Sequence, residues 1–229
     1  MEYMDLGSLR AFLDVVKEMS SEVPLIPEPF IATMLGQILG GLHYLHEHKS
    51  LHRDVKPGNV LINSLGEVKI SDFGISKIIQ ETLARTFVGT SRYMAPERVK
   101  HEIYDTPCDI WGLGMILHEM ATGVLPYAEA NSSFSMQNLI REGFVPKLSP
   151  VERFSPGLVD FYNRCVVIDP NQRATTEELL KHPWMTENYL TIKKEYAEWI
   201  ALVDSKMQET KLKNKAITTV EEFKQLGLL

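Results

Sequence analysis

Two cysteines, Cys108 and Cys165, are all that the 229 residues contain. A disulfide framework needs more, so free thiols point to a reducing compartment, the cytoplasm. Long apolar runs are missing too: no stretch approaches the ~20 apolar residues of a membrane-spanning helix. The start, Met1-Glu2-Tyr3-Met4-Asp5, is acidic and lacks the apolar centre of a secretory signal. No block of Lys or Arg stands out against a formal net charge of −6, which argues against nucleic acid or an anionic membrane as partner. Repeats and low-complexity tracts are absent. What remains is 44% apolar and 24% charged, the composition of a globular protein of one large domain or two small ones.

One stretch concentrates the chemistry: Leu51 to Gly74, LHRDVKPGNVLINSLGEVKISDFG. Val60-Leu61-Ile62 is followed by Asn63-Ser64-Leu65-Gly66 and then by Val68 and Ile70 in alternation, which predicts a β-hairpin with a short turn. Asp54, Lys56 and Asn59 precede the first strand, and Asp72 follows the second. Antiparallel pairing brings these ends together, so two carboxylates, an ammonium and an amide converge at one mouth. Such a cluster suits a phosphate and a hard divalent cation, because Mg²⁺ takes oxygen ligands from one or two carboxylates plus substrate phosphates. The alternative is a polar hairpin end without chemistry.

The same stretch resembles the catalytic core of eukaryotic protein kinases, whose pattern is H-R-D-x-x-x-x-N followed by D-F-G. The matching residues are His52-Arg53-Asp54, Asn59 and Asp72-Phe73-Gly74. The resemblance implies that Asp54 accepts the proton of the substrate hydroxyl, that Lys56 steadies the transferring phosphoryl group, and that Asn59 and Asp72 hold Mg²⁺. Lys at position 56 is similar to the serine/threonine class. Tyr93-Met94-Ala95-Pro96-Glu97 resembles the A-P-E close of an activation segment. Thr90 then matches a hydroxyl that bonds the catalytic Asp and Lys. Thr82 and Thr86, four apart just before Phe87-Val88-Gly89-Thr90, resemble the regulatory pair of mitogen-activated protein kinase kinases, with Arg53 as the guanidinium partner of a phosphate.

The rest of the chain fits around that stretch. Met1 to Gly7 precedes a helix that Ser8 caps, with Leu9, Phe12, Leu13 and Val16 on one face. By resemblance this segment is a hinge against adenine: Met1, Glu2, Met4 and Ser8 belong to the nucleotide site, with Leu61 beneath the base. A Pro-rich loop over Ser20–Pro29 leads to a long helix marked by Ile31, Leu35, Ile38, Leu39, Leu42 and Leu45. In it Gly36, Gly40 and Gly41 imply close packing, and His43, His46 and His48 read as neutral surface or core residues. Thr106-Pro107 predicts a cap and first turn for a helix that Gly123 closes. On it Asp109 is expected to bind backbone amides of the catalytic loop, a structural role. Helices are predicted near Ser133–Glu142 and Pro156–Val167, and Thr175 to Glu178 forms a capping box. Asp169-Pro170 and Arg173 resemble a D-P-x-x-R motif whose Arg pairs with Glu97.

These signals predict a mainly α-helical fold with short β-hairpins, a protein-kinase-like C-lobe over residues 1–185, and a helical tail over 186–229. In the tail, Tyr196, Trp199, Ile200 and Val203 share one helical face. That face is equally consistent with packing on its own domain and with docking an upstream kinase. Thr219 and Glu222 suggest a cap for a last short helix. A Gly-rich phosphate loop, a strand Lys and its helix Glu are not found. The N-lobe is therefore expected to be absent, and the chain alone to be inactive. The implied function is a serine/threonine, dual-specificity kinase that uses ATP and Mg²⁺, acts on a downstream kinase and answers to an upstream one. A non-catalytic binding module is the competing reading.

Overall fold

A computed structural model describes residues 3–19, 26–72, 90–189 and 193–225. Among these, helices dominate and one small sheet sits at an end. In chain order the elements are β1 (Gly7–Ser8), α1 (Leu9–Met19), α2 (Glu28–Glu47), β2 (Val60–Ile62), β3 (Val68–Ile70), α3 (Pro96–Val99), α4 (Pro107–Thr122), α5 (Ser133–Arg141), α6 (Pro156–Cys165), α7 (Thr176–Leu180), α8 (Pro183–Asn188) and α9 (Lys193–Gln225).

The β2–β3 hairpin forms as its alternation predicts, with Val60 opposite Ile70 and Ile62 opposite Val68. Its turn is built by Asn63, whose Oδ1 accepts from Leu65 N (3.1 Å) and Glu67 N (2.9 Å). Such side-chain-to-backbone bonds are why Asn favours turns. A third strand, not predicted, joins them: β1 pairs with β2, placing Ser8 opposite Leu61. Two residues are too few to show a period, so no sequence pattern marks it. Ser8 also caps α1, its Oγ accepting from Ala11 N at 3.3 Å.

α4 is the axis of the fold. Every residue from Cys108 to Thr122 is buried, the pattern of a helix enclosed on all sides. Pro107 opens it, but Thr106 is itself helical and makes no side-chain cap bond. Thr106 thus stands at the predicted cap position without its side-chain bond, and the carboxylate of Asp105 just before it accepts from Thr106 N at 2.7 Å. Gly123 ends the helix at φ 68, a left-handed conformation that costs glycine little. α2 packs on α4 and α7, with all six of its predicted core positions buried. On α2, a Cβ at Gly36 would meet Tyr189 at 2.5 Å, whereas nothing lies within 4 Å of one at Gly40. Close packing therefore explains the first glycine and not the second.

The tail is one continuous helix, Lys193–Gln225, running through position 219, where a separate capped helix was expected. Its apolar face lies against α1, with Tyr196, Ile200, Val203 and Met207 buried. Trp199 meets Phe12 edge to face (centroids 5.4 Å apart) and lies tilted against Phe30 (5.2 Å). The Tyr196 hydroxyl donates to Gly66 O at 3.0 Å. The face that the sequence leaves open to docking is thus spent on the domain itself. Trp199→Ala is expected to destabilise the fold by about 2–4 kcal/mol, below a fully buried aromatic because Trp199 is only partly covered. Thermal unfolding measures it, and an unchanged melting temperature would contradict this packing.

Candidate active site

The hairpin mouth brings Asp54, Lys56 and Asn59 together. The short 3₁₀ turn Pro57–Asn59 feeds β2, and Ser71, at the exit of β3, donates its N–H to Asn59 O at 2.8 Å. That bond ties the two strand ends together, and Asp72 follows one residue beyond Ser71. Asn59 is buried, and its Nδ2 donates both to Asp54 O (2.9 Å) and to Asp54 Oδ2 (2.8 Å). The amide is planar, so its Oδ1 faces away from Asp54. Lys56 Nζ lies 2.7 Å from the same Asp54 Oδ2. Asp54 and Lys56 are 18% and 22% exposed as side chains, open enough to meet a substrate.

A deeper layer holds this loop. Asp109, 1% exposed, accepts from Arg53 N through Oδ1 (2.7 Å) and from His52 N through Oδ2 (2.9 Å). The His52 ring bridges both halves of the site. Its Nδ1 accepts from Asp54 N at 3.3 Å, so Nε2 carries the proton toward Ser71 O at 2.8 Å. Arg98 Nη1 donates to Arg53 O. These bonds fix Arg53 at φ 71 and Asp72 at φ 60. Non-glycine residues pay for such conformations, and they persist only where surroundings over-determine them.

Further out, Arg173 forks onto Glu97 with Nη1 to Oε1 (2.8 Å) and Nη2 to Oε2 (3.0 Å). Glu119 receives the Tyr93 hydroxyl at 2.5 Å and Arg10 at 2.6 Å. Burial, reinforced by the Glu119 charge, pushes the Tyr93 phenol far up, so it stays protonated as the donor. Leu61 is half-buried on β2 while its neighbours Val60 and Ile62 face the core. Met4 is buried and accepts from Gly7 N at 3.0 Å in a tight turn.

Met1, Glu2, Phe73, Gly74, Thr82 and Thr86 lie outside the described residues, and of Thr90 only the backbone, in a 3₁₀ turn, is described. Sequence reading missed His46, whose Nε2 sits 2.9 Å from Asp109 Oδ2; the signal was its place on α2 just before the catalytic stretch. It also missed the Glu119 cluster, since Arg10, Tyr93 and Glu119 are joined only by folding.

The family model for the protein kinase domain matches residues 1–185, and the chain belongs to that family. Its relatives include mitogen-activated protein kinase kinase 2 of Arabidopsis thaliana, 43% identical over 196 residues that cover 82% of this chain and 52% of the relative. Mitogen-activated protein kinase kinase 1c of Physcomitrium patens is 42% identical over 193 residues, covering 81% and 54%. Mitogen-activated protein kinase kinase 5 of Leishmania mexicana is 43% identical over 171 residues, covering 70% and 32%. The chain spans about half the length of the plant relatives it matches.

Proposed function

We propose that the chain carries the phosphotransfer machinery of a serine/threonine, dual-specificity kinase of the mitogen-activated protein kinase kinase type, acting in the cytoplasm. It moves the γ-phosphate of ATP to hydroxyls in a downstream kinase. The observation that carries this reading is the junction of Asp54, Lys56 and Asn59 through contacts of 2.7, 2.8 and 2.9 Å, beside Asp72. Residues 1–185 form the hinge and helical lobe, and 186–229 the tail.

Each side chain then has a task. Asp54 orients the substrate hydroxyl and takes its proton, held in place by the Asn59 amide. Lys56, on the same carboxylate oxygen, sets positive charge where phosphoryl charge develops. Oxygen donors are what a hard cation needs, and Asn59 Oδ1 with the Asp72 carboxylate fit Mg²⁺. Bound there with ATP, Mg²⁺ neutralises phosphate charge. Met1, Glu2, Met4, Ser8 and Leu61 meet the nucleotide. Thr90 steadies Asp54 and Lys56.

Regulation falls to Thr82 and Thr86, phosphorylated by an upstream kinase. Arg53 supports this: its buried Nε has no hydrogen-bond partner among the described residues, and a phosphate can order a loop through such a guanidinium.

The test is calorimetric titration of the full-length protein with ATP, with and without Mg²⁺, beside phosphate transfer to an inactive downstream kinase. Asp72→Asn is expected to weaken the Mg²⁺-dependent part of nucleotide binding by about tenfold or more, the worth of a bond to a charged group. Equal affinity in both proteins would remove Asp72 from the metal site.

A further inference from the structure

The 3₁₀ turn Thr90–Tyr93 stands beside the catalytic loop. Tyr93 and Met94 share with Arg53, Asp54 and Val55 a cavity of only about 10 Å³, room for one water at most. The turn is therefore a wall next to Asp54. From behind it packs on α4 and α5. Two successive side chains anchor it there. The Tyr93 hydroxyl donates to Glu119 Oε2 on α4 at 2.5 Å. Arg92 reaches elsewhere: its Nη1 donates to both Pro126 O and Tyr127 O, each at 2.8 Å. Carbonyls only accept and a guanidinium only donates, so the contact has one polarity. Both carbonyls belong to the loop between α4 and α5, which is a firm support. Pro126 and Tyr127 are buried, and the Tyr127 hydroxyl donates to Phe144 O at 3.4 Å. The Tyr127 backbone stands at φ 56, a conformation that a non-glycine residue keeps only where its surroundings over-determine it.

We infer that Arg92 is a positioning residue for the protein substrate, hanging the turn that flanks Asp54 on the loop between α4 and α5. Without Arg92 the turn keeps its Tyr93 anchor but loses the second, and it pivots about the first. The backbone of residues 90–92 then shifts relative to Asp54. The reacting groups stay where they are, because Asp54, Lys56 and Asn59 hold one another and Asp109 holds the loop beneath them. A substrate segment that brings its hydroxyl to Asp54 therefore meets a displaced wall. The nucleotide side of the site, at Met4, Ser8 and Leu61, lies on β1, β2 and the chain before them, and none of these elements contains the turn. The loss falls on binding of the protein substrate, not on ATP and not on the chemical step. The kinetic part of this inference rests on the proposed kinase reading, whereas the structural part does not.

Steady-state phosphate transfer to an inactive downstream kinase, beside carbonyl carbon NMR of the full-length protein, tests both parts. Arg92→Met keeps the stem and removes the donors. It should raise the KM for the downstream kinase about tenfold, the upper end of what one hydrogen bond is worth. Both kcat and the KM for ATP should stay within about twofold, the pattern of lost uniform binding. Arg92→Lys still brings one nitrogen with several donors toward the two carbonyls, and it should recover most of the loss. Arg92→Gln, whose amide stops short of them, should not, and it serves where the Met variant does not fold. The carbonyl resonances of Pro126 and Tyr127 should move in the Met and Gln variants and return in the Lys variant. Unmoved resonances in the Met or Gln variant would overturn the inference. So would a Lys variant as impaired as Met, or a KM for ATP that rises with the other. A KM difference that disappears at about 0.5 M salt would mean that residue 92 forms a screened ion pair with the substrate itself, and would also overturn it. Moved resonances with an unaltered KM for the downstream kinase would overturn the kinetic part alone. A parent protein without transfer activity would count against the kinase reading, and the resonances would then decide by themselves whether Arg92 holds the turn.

Discussion

Replacing Asp54 by Asn is expected to reduce phosphoryl transfer by about 10²–10⁴-fold, the usual worth of a general base. The carboxylate is the shared partner of Lys56 Nζ and Asn59 Nδ2 at 2.7 and 2.8 Å. An amide of the same shape fills the position but cannot take a proton. It also turns one nitrogen toward a donor, which displaces Lys56 or Asn59 slightly. Neither change threatens the fold, because Asp54 is partly solvated and the loop is held by Asp109 through backbone amides. The loss should therefore appear in kcat at saturating Mg²⁺-ATP, with the melting temperature within a degree or two of the parent. Turnover near the wild-type level would deny Asp54 the role of base.

The second large effect is on stability. Arg173→Leu should cost roughly 3–5 kcal/mol, because it strands Glu97 as an uncompensated buried charge. Both side chains are almost inaccessible, 0% and 2% exposed. The guanidinium also donates to Pro107 O (2.8 Å) and Val167 O (2.9 Å) and lies 5.1 Å from the Trp111 ring centroid. It thus binds α3, the start of α4 and the segment after α6 into one knot. For a domain of this size the loss corresponds to a fall of about 10 °C in melting temperature. The double variant Arg173→Leu/Glu97→Leu should recover part of it, since removing both charges removes the desolvation cost of each. A single Arg173 variant within about 1 kcal/mol of the parent in urea unfolding would show that Glu97 finds another partner.

Much of this was legible in the residues, and the reasons differ by element. The hairpin was, because Val60, Ile62, Val68 and Ile70 alternate around a short Asn/Ser/Gly turn and alternation has one structural meaning. α2 was, because its six apolar positions recur at helical spacing over 20 residues. β1 was not, since pairing of Gly7 and Ser8 depends on a partner some fifty positions away. Thr106 stands at the predicted cap position before Pro107, but the missing side-chain bond was not legible, because it follows from the helical backbone at Thr106 and not from residue type. The tail face could not be resolved: Tyr196, Trp199, Ile200 and Val203 make the same stripe whether the surface covering them is internal or foreign. For the site, spacing placed Asp54, Asn59 and Asp72 at one mouth. The donors to Asp109 from α2 and to Glu119 from α1 needed the folded chain, because hydrogen-bond partners far apart in sequence leave no periodic trace.

The clasp of α9 over Phe12, Phe30 and Gly66 also has a consequence for how the chain is made. Those residues leave the ribosome before Tyr196 and Trp199 do. At typical synthesis rates of about 5–20 residues per second, roughly 10–40 s separate Phe12 from Trp199. Until α9 arrives, Phe12, then Phe30 and then the hairpin tip face solvent or a chaperone. Contacts of such long sequence separation also slow folding, because the loop they close must be ordered first. The face of α1 is thus sealed only once α9 has been synthesised.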